Sequence, residues 1–237
     1  NRSNKWAVLS VSVLASFLST MMMSGLNVAL PTIQNEFQLS SMMLSLVATS
    51  YLLPSAIFLL PSGRLGDIAG RRLIYLIGFL LFALGSLACG LAPSEYWLFA
   101  MRALQGMGGA FTMSTGMAIL TSVFPPKERG SAIGWNVAAV YIGLSAGPTL
   151  GGILTEHFGW RSIFLLNAPL SMLIFLLALI AFKEKWAEAR GQRFDLAGSI
   201  VYGIGLLLLM LSSSKLPGVT GFLLLATGIV VLSGFVF

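Results

Sequence analysis

Charge is scarce. Asp, Glu, Lys and Arg make up 9% of the 237 residues, against 57% hydrophobic ones. Globular domains that face water carry about a quarter of their residues as charges, so a soluble fold is excluded. Histidine and cysteine occur once each, as His157 and Cys89. One cysteine excludes an internal disulfide, and neither residue recurs at metal-ligand spacing, so no metal site is expected. Cys89 lies in an apolar run and reads as a small buried apolar residue. Acids number 8 against 14 Lys and Arg, and none falls inside a long apolar run. An intramembrane enzyme needs paired catalytic groups within its spans, and this chain has neither these nor an H-E-x-x-H pair. No enzyme activity is expected.

Apolar runs dominate what remains. A helix crosses a bilayer with about 20 apolar residues. Eight segments qualify: Trp6–Leu30, Ser41–Leu60, Leu73–Ala92, Tyr96–Phe124, Ser131–Leu154, Ser162–Phe182, Leu196–Ser213 and Thr220–Phe237. They are too long for barrel strands, which are shorter and alternate. The first is too long for a signal-peptide core and is read as a retained span. The expected fold class is an all-α integral membrane protein. Its expected parts are a six-helix bundle over residues 1–182, a polar linker over 183–195 and two further spans over 196–237. The linker, KEKWAEARGQRFD, has the composition of a short basic helix lying on the membrane.

The basic residues set an orientation. Arg2, Lys5, Arg64, Arg71, Arg72, Lys127, Arg129, Lys183, Lys185, Arg190 and Arg193 fall at the N-terminus and in every second loop. Only Arg161 and Lys215 fall in the opposite loops. Positive charge stays on the cytoplasmic side. The expected location is therefore the cell inner (plasma) membrane, multi-pass, with the N-terminus cytoplasmic. The net charge of +6 is a topology signal, and no nucleic-acid partner is expected.

Three stretches carry chemistry. In the first, Gly143, Gly147 and Gly151 fall four apart on one stripe of the fifth span, beside Pro148 and Gly152. A stripe without side chains lets another helix approach closely, and a proline inside the helix removes a hydrogen bond and favours a bend. Such a helix can rock against a partner; plain membrane packing uses the same stripe. In the second, Arg102 lies within the fourth span, roughly 9 Å from its Tyr96 end at the helical rise. A charge at that depth points to function, the other reading being an arginine that snorkels to the interface. Gln105 stands one turn on to hold the guanidinium, and Gly106 permits close packing. In the third, the loop from Gly63 to Arg72 spaces Gly63, Gly66 and Gly70 around Asp67. That acid can accept from a helix N-terminus, Arg71 or Arg72.

These three stretches resemble, in order, the signatures of the major facilitator superfamily. The Gly63–Arg72 loop is similar to its signature between helices two and three. Leu98 to Ala110 (LFAMRALQGMGGA) is similar to its fourth-helix signature. Gly143 to Gly152 is similar to the fifth-helix signature of its drug:proton antiporters. Asn27 to Pro31 (NVALP), Phe158 to Pro169 (FGWRSIFLLNAP) and Phe194 to Gly198 resemble the fourteen-helix multidrug exporter branch. The resemblance implies a facilitator-like N-terminal bundle with two linker helices, and alternating access between two six-helix halves. It departs at two places. Ile68 follows Asp67 where the family has a basic residue, and Met22 stands where drug exporters of this branch carry an acid. That acid would lie at a depth similar to that of Arg102 and could serve as its counter-ion, and its absence leaves Arg102 without an obvious partner.

The reading that follows is a secondary active transporter. It is a proton-coupled multidrug exporter of amphipathic or cationic compounds, with the proton gradient as energy source and no cofactor. Expected gating residues are Arg102, Gln105, Gly106, Asp67, Gly63, Gly70, Arg71, Arg72, Gly143, Gly147, Pro148, Gly151 and Gly152. An adaptable greasy cavity is expected from Met22, Met23, Asn27, Met113, Trp135, Asn136 and Tyr141, since methionine suits promiscuous surfaces. Expected partners are a small amphipathic substrate, the lipid bilayer, and a missing C-terminal half or a second copy of the chain. Two alternatives stand beside this. One is an exporter of a lipid, siderophore or metabolite without coupling through a helix-one acid; the other is a non-transporting membrane assembly subunit.

Overall fold

The computed structural model describes residues 4–184, 186–215 and 217–236. Arg2, Lys185 and the Phe237 end of the eighth expected span lie outside them. Among the described residues the chain forms eight helices and no strand. These are α1 (Lys5–Phe37), α2 (Ser41–Ala69), α3 (Arg71–Gly90), α4 (Glu95–Val123), α5 (Pro126–Phe158), α6 (Arg161–Ala181), α7 (Leu196–Lys215) and α8 (Val219–Val236).

Short polar signals set the ends. Asn4, Ser40 and Ser94 accept from Trp6, Met43 and Trp97 amides and cap α1, α2 and α4. Pro126 opens α5, where its missing N–H costs nothing. Each helix is joined to the next inside the bundle by very few residues. Between α2 and α3 only Gly70 intervenes, at φ 110°. No other residue type adopts that backbone without strain. The segment expected as the Gly63–Arg72 loop is therefore helical apart from this one glycine.

Several helices outrun the apolar segments that announced them. The first passes Leu30 and Pro31 and reaches Phe37; the fifth starts at Pro126 rather than Ser131. At 33 residues each, α1 and α5 are about 50 Å long, against a hydrocarbon core of about 30 Å. Apolarity marks the buried part of a spanning helix, whereas its polar turns continue into the interface. Five helices are long and apolar enough to cross a membrane on their own: α1, α2, α3, α5 and α6. That is fewer than the eight segments expected. The fourth helix is diluted by Arg102, Gln105 and its glycines but packs between α2 and α3. The apolar stretches of the last two, Leu196–Ser212 and Val219–Phe235, are shorter. The chain is a multi-pass membrane protein.

The most extensive contact is α1 on α5, followed by α3 on α4 and α2 on α4. One core layer gathers Met22, Leu26, Phe82, Leu98, Trp160 and Phe164. A second, toward the end that carries Arg71, gathers Val11, Tyr75, Phe79, Ile119, Ile174 and Phe182. The last two helices form a hairpin that meets the bundle through α7 on α2, where Tyr202 donates to the Ala56 carbonyl at 3.3 Å.

The linker is not a membrane-surface helix. Its described residues run without helix from 182 to 195, with a turn at 188–191 and Gly191 at φ 86°. Its backbone bonds go to the bundle instead. Ala189 N–H donates to the Asp67 carbonyl at 2.9 Å, and the Trp186 carbonyl accepts from Arg71 N–H at 3.3 Å.

Candidate functional site

Arg102 is 3% exposed. It turns inward rather than snorkelling. Its Nε donates to the Val47 carbonyl at 3.2 Å and its Nη1 to Gln105 Oε1 at 3.0 Å. Its guanidinium lies 4.6 Å from the Tyr51 ring centre and 5.9 Å from that of Phe164. The N–H groups of the cation are thus met by neutral acceptors, and aromatic rings lie close to it. No acid contacts it among the described residues. Gln105 relays the contact. Its Nε2 donates to Ser86 Oγ at 2.6 Å and reaches the Met22 sulfur at 3.6 Å. Asn167 of α6 also donates to Ser86 Oγ, at 2.8 Å. Five helices therefore meet in one polar layer, and Met22 sits at its edge, 3% exposed. The structure thus brings Gln105 and Arg102 together, one helical turn apart. Val47, Tyr51, Ser86 and Asn167 were not singled out from the sequence. Serine and asparagine inside apolar runs were the available signal. Asn167 Oδ1 is buried with no hydrogen-bond partner.

The glycine stripe of α5 faces α1. A Cβ added at Gly147 would strike Ser24 Oγ, one at Gly143 the Thr20 hydroxyl, and one at Gly151 would lie 2.6 Å from Gly25 Cα. The matching gap on α1 is Gly25, whose own added Cβ would meet the Gly147 carbonyl at 2.9 Å. The Ser24 hydroxyl donates to the Gly143 carbonyl at 3.3 Å across the seam. Pro148 sits on the exposed side, inside an unbroken helix. Without its N–H, the carbonyl one turn back lacks a helical donor. Gly152 is not part of the seam: its nearest neighbour would be Val28 Cγ1 at 3.8 Å. The fourth helix has a seam of its own. An added Cβ at Gly106 would strike the Tyr51 carbonyl of α2, and one at Gly108 would meet the Gly78 carbonyl of α3 at 2.6 Å.

At the basic end, Asp67 selects Arg71 over Arg72. Asp67 Oδ1 lies 2.9 Å from Arg71 Nε and 2.8 Å from Nη2. Arg71 Nη1 also reaches Ser122 Oγ of α4 at 2.9 Å and Glu188 Oε1 of the linker at 2.8 Å. Arg72 turns to the Leu179 carbonyl of α6 at 3.0 Å. Glu188, carried in a segment read as a polar boundary and a membrane-surface helix, is the partner that sequence reasoning missed. Gly63 has open surroundings, with only Ser114 Cβ near, at 3.8 Å.

The residues expected to line a cavity differ in burial. Met22 is buried in the Arg102 layer, where its thioether packs on Gln105. Met23, Asn27, Met113, Trp135 and Tyr141 are exposed. Asn136 accepts from Ser16 Oγ at 2.8 Å and is half-buried. A small void of about 20 Å³ does lie behind the α1–α5 seam, bounded by Met22, Gly25, Gly147, Gly151 and Asn167. His157 lies in the last turn of α5, exposed, its Nδ1 3.0 Å from the Ile153 carbonyl. Among the described residues no group of three or more His, Cys, Asp or Glu is placed to hold a metal ion.

Comparison with known proteins places this geometry in a family. The family profile described as Major Facilitator Superfamily matches residues 12–237. A riboflavin transporter, RibZ, of Clostridioides difficile (strain 630) is 34% identical over 211 residues, covering 89% of this chain and 46% of the relative. Multidrug resistance protein Stp of Mycobacterium tuberculosis is 45% identical over 177 residues, covering 74% of this chain and 33% of Stp. A probable actinorhodin transporter of Streptomyces coelicolor is 32% identical over 242 residues, 99% of this chain and 42% of that one. The chain thus spans less than half the length of these relatives. Among solved structures, a bacterial homologue of the human lysosomal transporter Spinster, inward-facing and unoccupied, superimposes with a TM-score of 0.63. Its sequence identity is 21%, and the match covers 91% of this chain and 53% of that one. At that identity the match shows the fold.

Proposed function

Because the chain belongs to the major facilitator superfamily and resembles its drug exporters, we propose that it forms one wall of a proton-driven exporter of amphipathic or cationic compounds. Export runs by alternating access. The second wall is a further six-helix half or a second copy of this chain. The bundle sits in the inner (plasma) membrane with its N-terminus cytoplasmic, as the loop charges direct. Transport rather than catalysis is its work, and the proton gradient rather than a bound cofactor drives it. Relatives named as multidrug resistance and antibiotic export proteins support this class of cargo.

The observation that carries the reading is the α1–α5 seam. Backbone meets backbone there at Gly25, and the short side chains of Thr20 and Ser24 fill the rest of the glycine stripe, beside a proline that weakens the helix. On this reading α5 rocks on α1, Arg102 organises the polar layer, and the Asp67–Arg71 pair latches the cytoplasmic side. Gly147→Leu should abolish efflux of a fluorescent substrate while membrane insertion stays normal. Normal efflux in that variant would refute the role of the seam.

A second reading has one observation of its own. Met22 occupies the edge of the Arg102 layer, and that layer holds no acid among the described residues. Export of a metabolite or lipid without proton coupling through α1 fits that chemistry, and a relative is named a riboflavin transporter. Efflux measured with the proton gradient collapsed separates the two readings. If export persists, the coupled reading fails.

A further inference from the structure

At the basic end, where α1, α4 and α5 meet, a cavity of about 170 Å³ is lined by Lys5, Trp6, Phe124, Glu128, Ala132 and Trp135. Lys5 Nζ bonds Glu128 Oε2 at 2.6 Å. The same ammonium lies 5.5 Å from the Trp6 ring centre and 5.8 Å from that of Phe124. Trp6 meets Phe124 edge-on at 6.1 Å. A carboxylate with two aromatic rings within about 6 Å of one cation is the composition of an ammonium cage. We propose that this cavity binds an organic ammonium group, and that Lys5 is its built-in occupant and competitor.

Three features go beyond a simple pin between helix ends. First, space remains in the cavity with Lys5 in place. Second, Trp6 and Trp135 are 59% and 62% exposed, so the walls are open to an arriving molecule. Third, the Lys5 side chain is 36% exposed and long enough to swing away. Charge does not oppose the exchange. Lys127 and Arg129 flank Glu128, and Arg129 Nε is held by the Phe124 carbonyl at 3.1 Å. At Glu128 itself one ammonium replaces another, and the displaced Lys5 ammonium moves out to solvent, where its charge is screened. Because Lys5 is tethered, it competes at high effective concentration. Ligands are therefore bound weakly until it leaves.

The ammonium can come from a free organic cation or from the amine headgroup of a membrane lipid. The cage stands apart from the Arg102 layer, and its binding does not depend on the export reading; its cytoplasmic placement rests on the loop charges. The test uses the chain in nanodiscs of phosphatidylglycerol, a lipid without an ammonium headgroup, titrated with benzyltrimethylammonium and followed by tryptophan fluorescence. Lys5→Gln should bind at least about tenfold more tightly than wild type, as expected when an occupant that fills nine sites in ten is removed. Adding Glu128→Gln to that variant should abolish the gain. Discs containing phosphatidylethanolamine should compete if the headgroup is the occupant, and should leave the titration unchanged if a free cation is. In the wild-type chain, saturating benzyltrimethylammonium should also speed acylation of the Lys5 amine, a readout that needs no variant to fold. Equal affinity of wild type and Lys5→Gln, or Lys5 acylation indifferent to the ligand, overturns the proposal.

Discussion

Arg102 carries its charge into a layer where every contact is neutral: a carbonyl, an amide and two aromatic rings. Removing a partner from a buried charge is far more damaging than exchanging that partner for another acceptor. Gln105→Leu should therefore lower stability by about 3 kcal/mol, read as thermal unfolding in detergent, while Gln105→Glu should be tolerated because it supplies an acceptor and a counter-charge. Equal losses in both variants would show that the Nε2 donor to Ser86, absent from both, matters more there than the acceptor offered to Arg102. Arg102 and Gln105 were legible because polar residues inside apolar runs stand out, and one helical turn separates them. Ser86 and Asn167 were not, since what singles them out is the meeting of α3 and α6, a long-range contact that no local spacing encodes. Methionine and aromatic content suggested a binding surface, and side-chain type alone does not fix which way a helix turns: Met22 faces the core while Met113 faces out of the bundle.

Helix α5 shows how far a local pattern reaches. The four-residue spacing of Gly143, Gly147 and Gly151 identified a close-packed stripe, and the structure puts α1 on it, with Gly25 as the reciprocal gap. The partner helix was not legible, because a stripe of small residues states that something approaches and not what. The neighbouring glycine separates seam from surroundings. Gly152→Ala should change thermal stability by no more than about 0.5 kcal/mol. Gly151→Ala should cost several times that, since its Cβ would lie against Gly25 backbone. A comparable loss at both positions would contradict the geometry. The α2–α3 junction teaches a related lesson. Spaced glycines and arginines read as a loop, yet only Gly70 leaves the helical conformation. Gly70→Ala forces a side chain into φ 110° and should cost about 1–3 kcal/mol, measurable as a lowered unfolding temperature.

For the whole molecule, the linker ties the bundle together at its basic end. Glu188 adds a second carboxylate to Arg71, and Arg71 in turn holds Ser122 of α4. Glu188→Gln should loosen this tie and make the segment from 183 to 195 more sensitive to limited proteolysis, with the bundle itself intact; unchanged cleavage would mean that the backbone bonds of Trp186 and Ala189 suffice. Composition and loop charge made the membrane class and the helix order legible at this scale. The path of the linker was hidden, because its basic, amphipathic composition suits a membrane surface and only the carbonyl of Asp67 and the amide of Arg71 show where its backbone bonds go. On the proposed function, α5 shifts on α1 as the bundle changes which side is open. Val28 and Gly152 flank the seam, 3.8 Å apart from Cγ1 to an added Cβ, and without the clash that a side chain in the stripe would bring. Val28→Cys with Gly152→Cys, placed in the transport-competent assembly, gives a reversible lock between the two helices. Efflux should stop when the pair is oxidised and return on reduction, whereas equal efflux in both redox states would contradict a seam that moves.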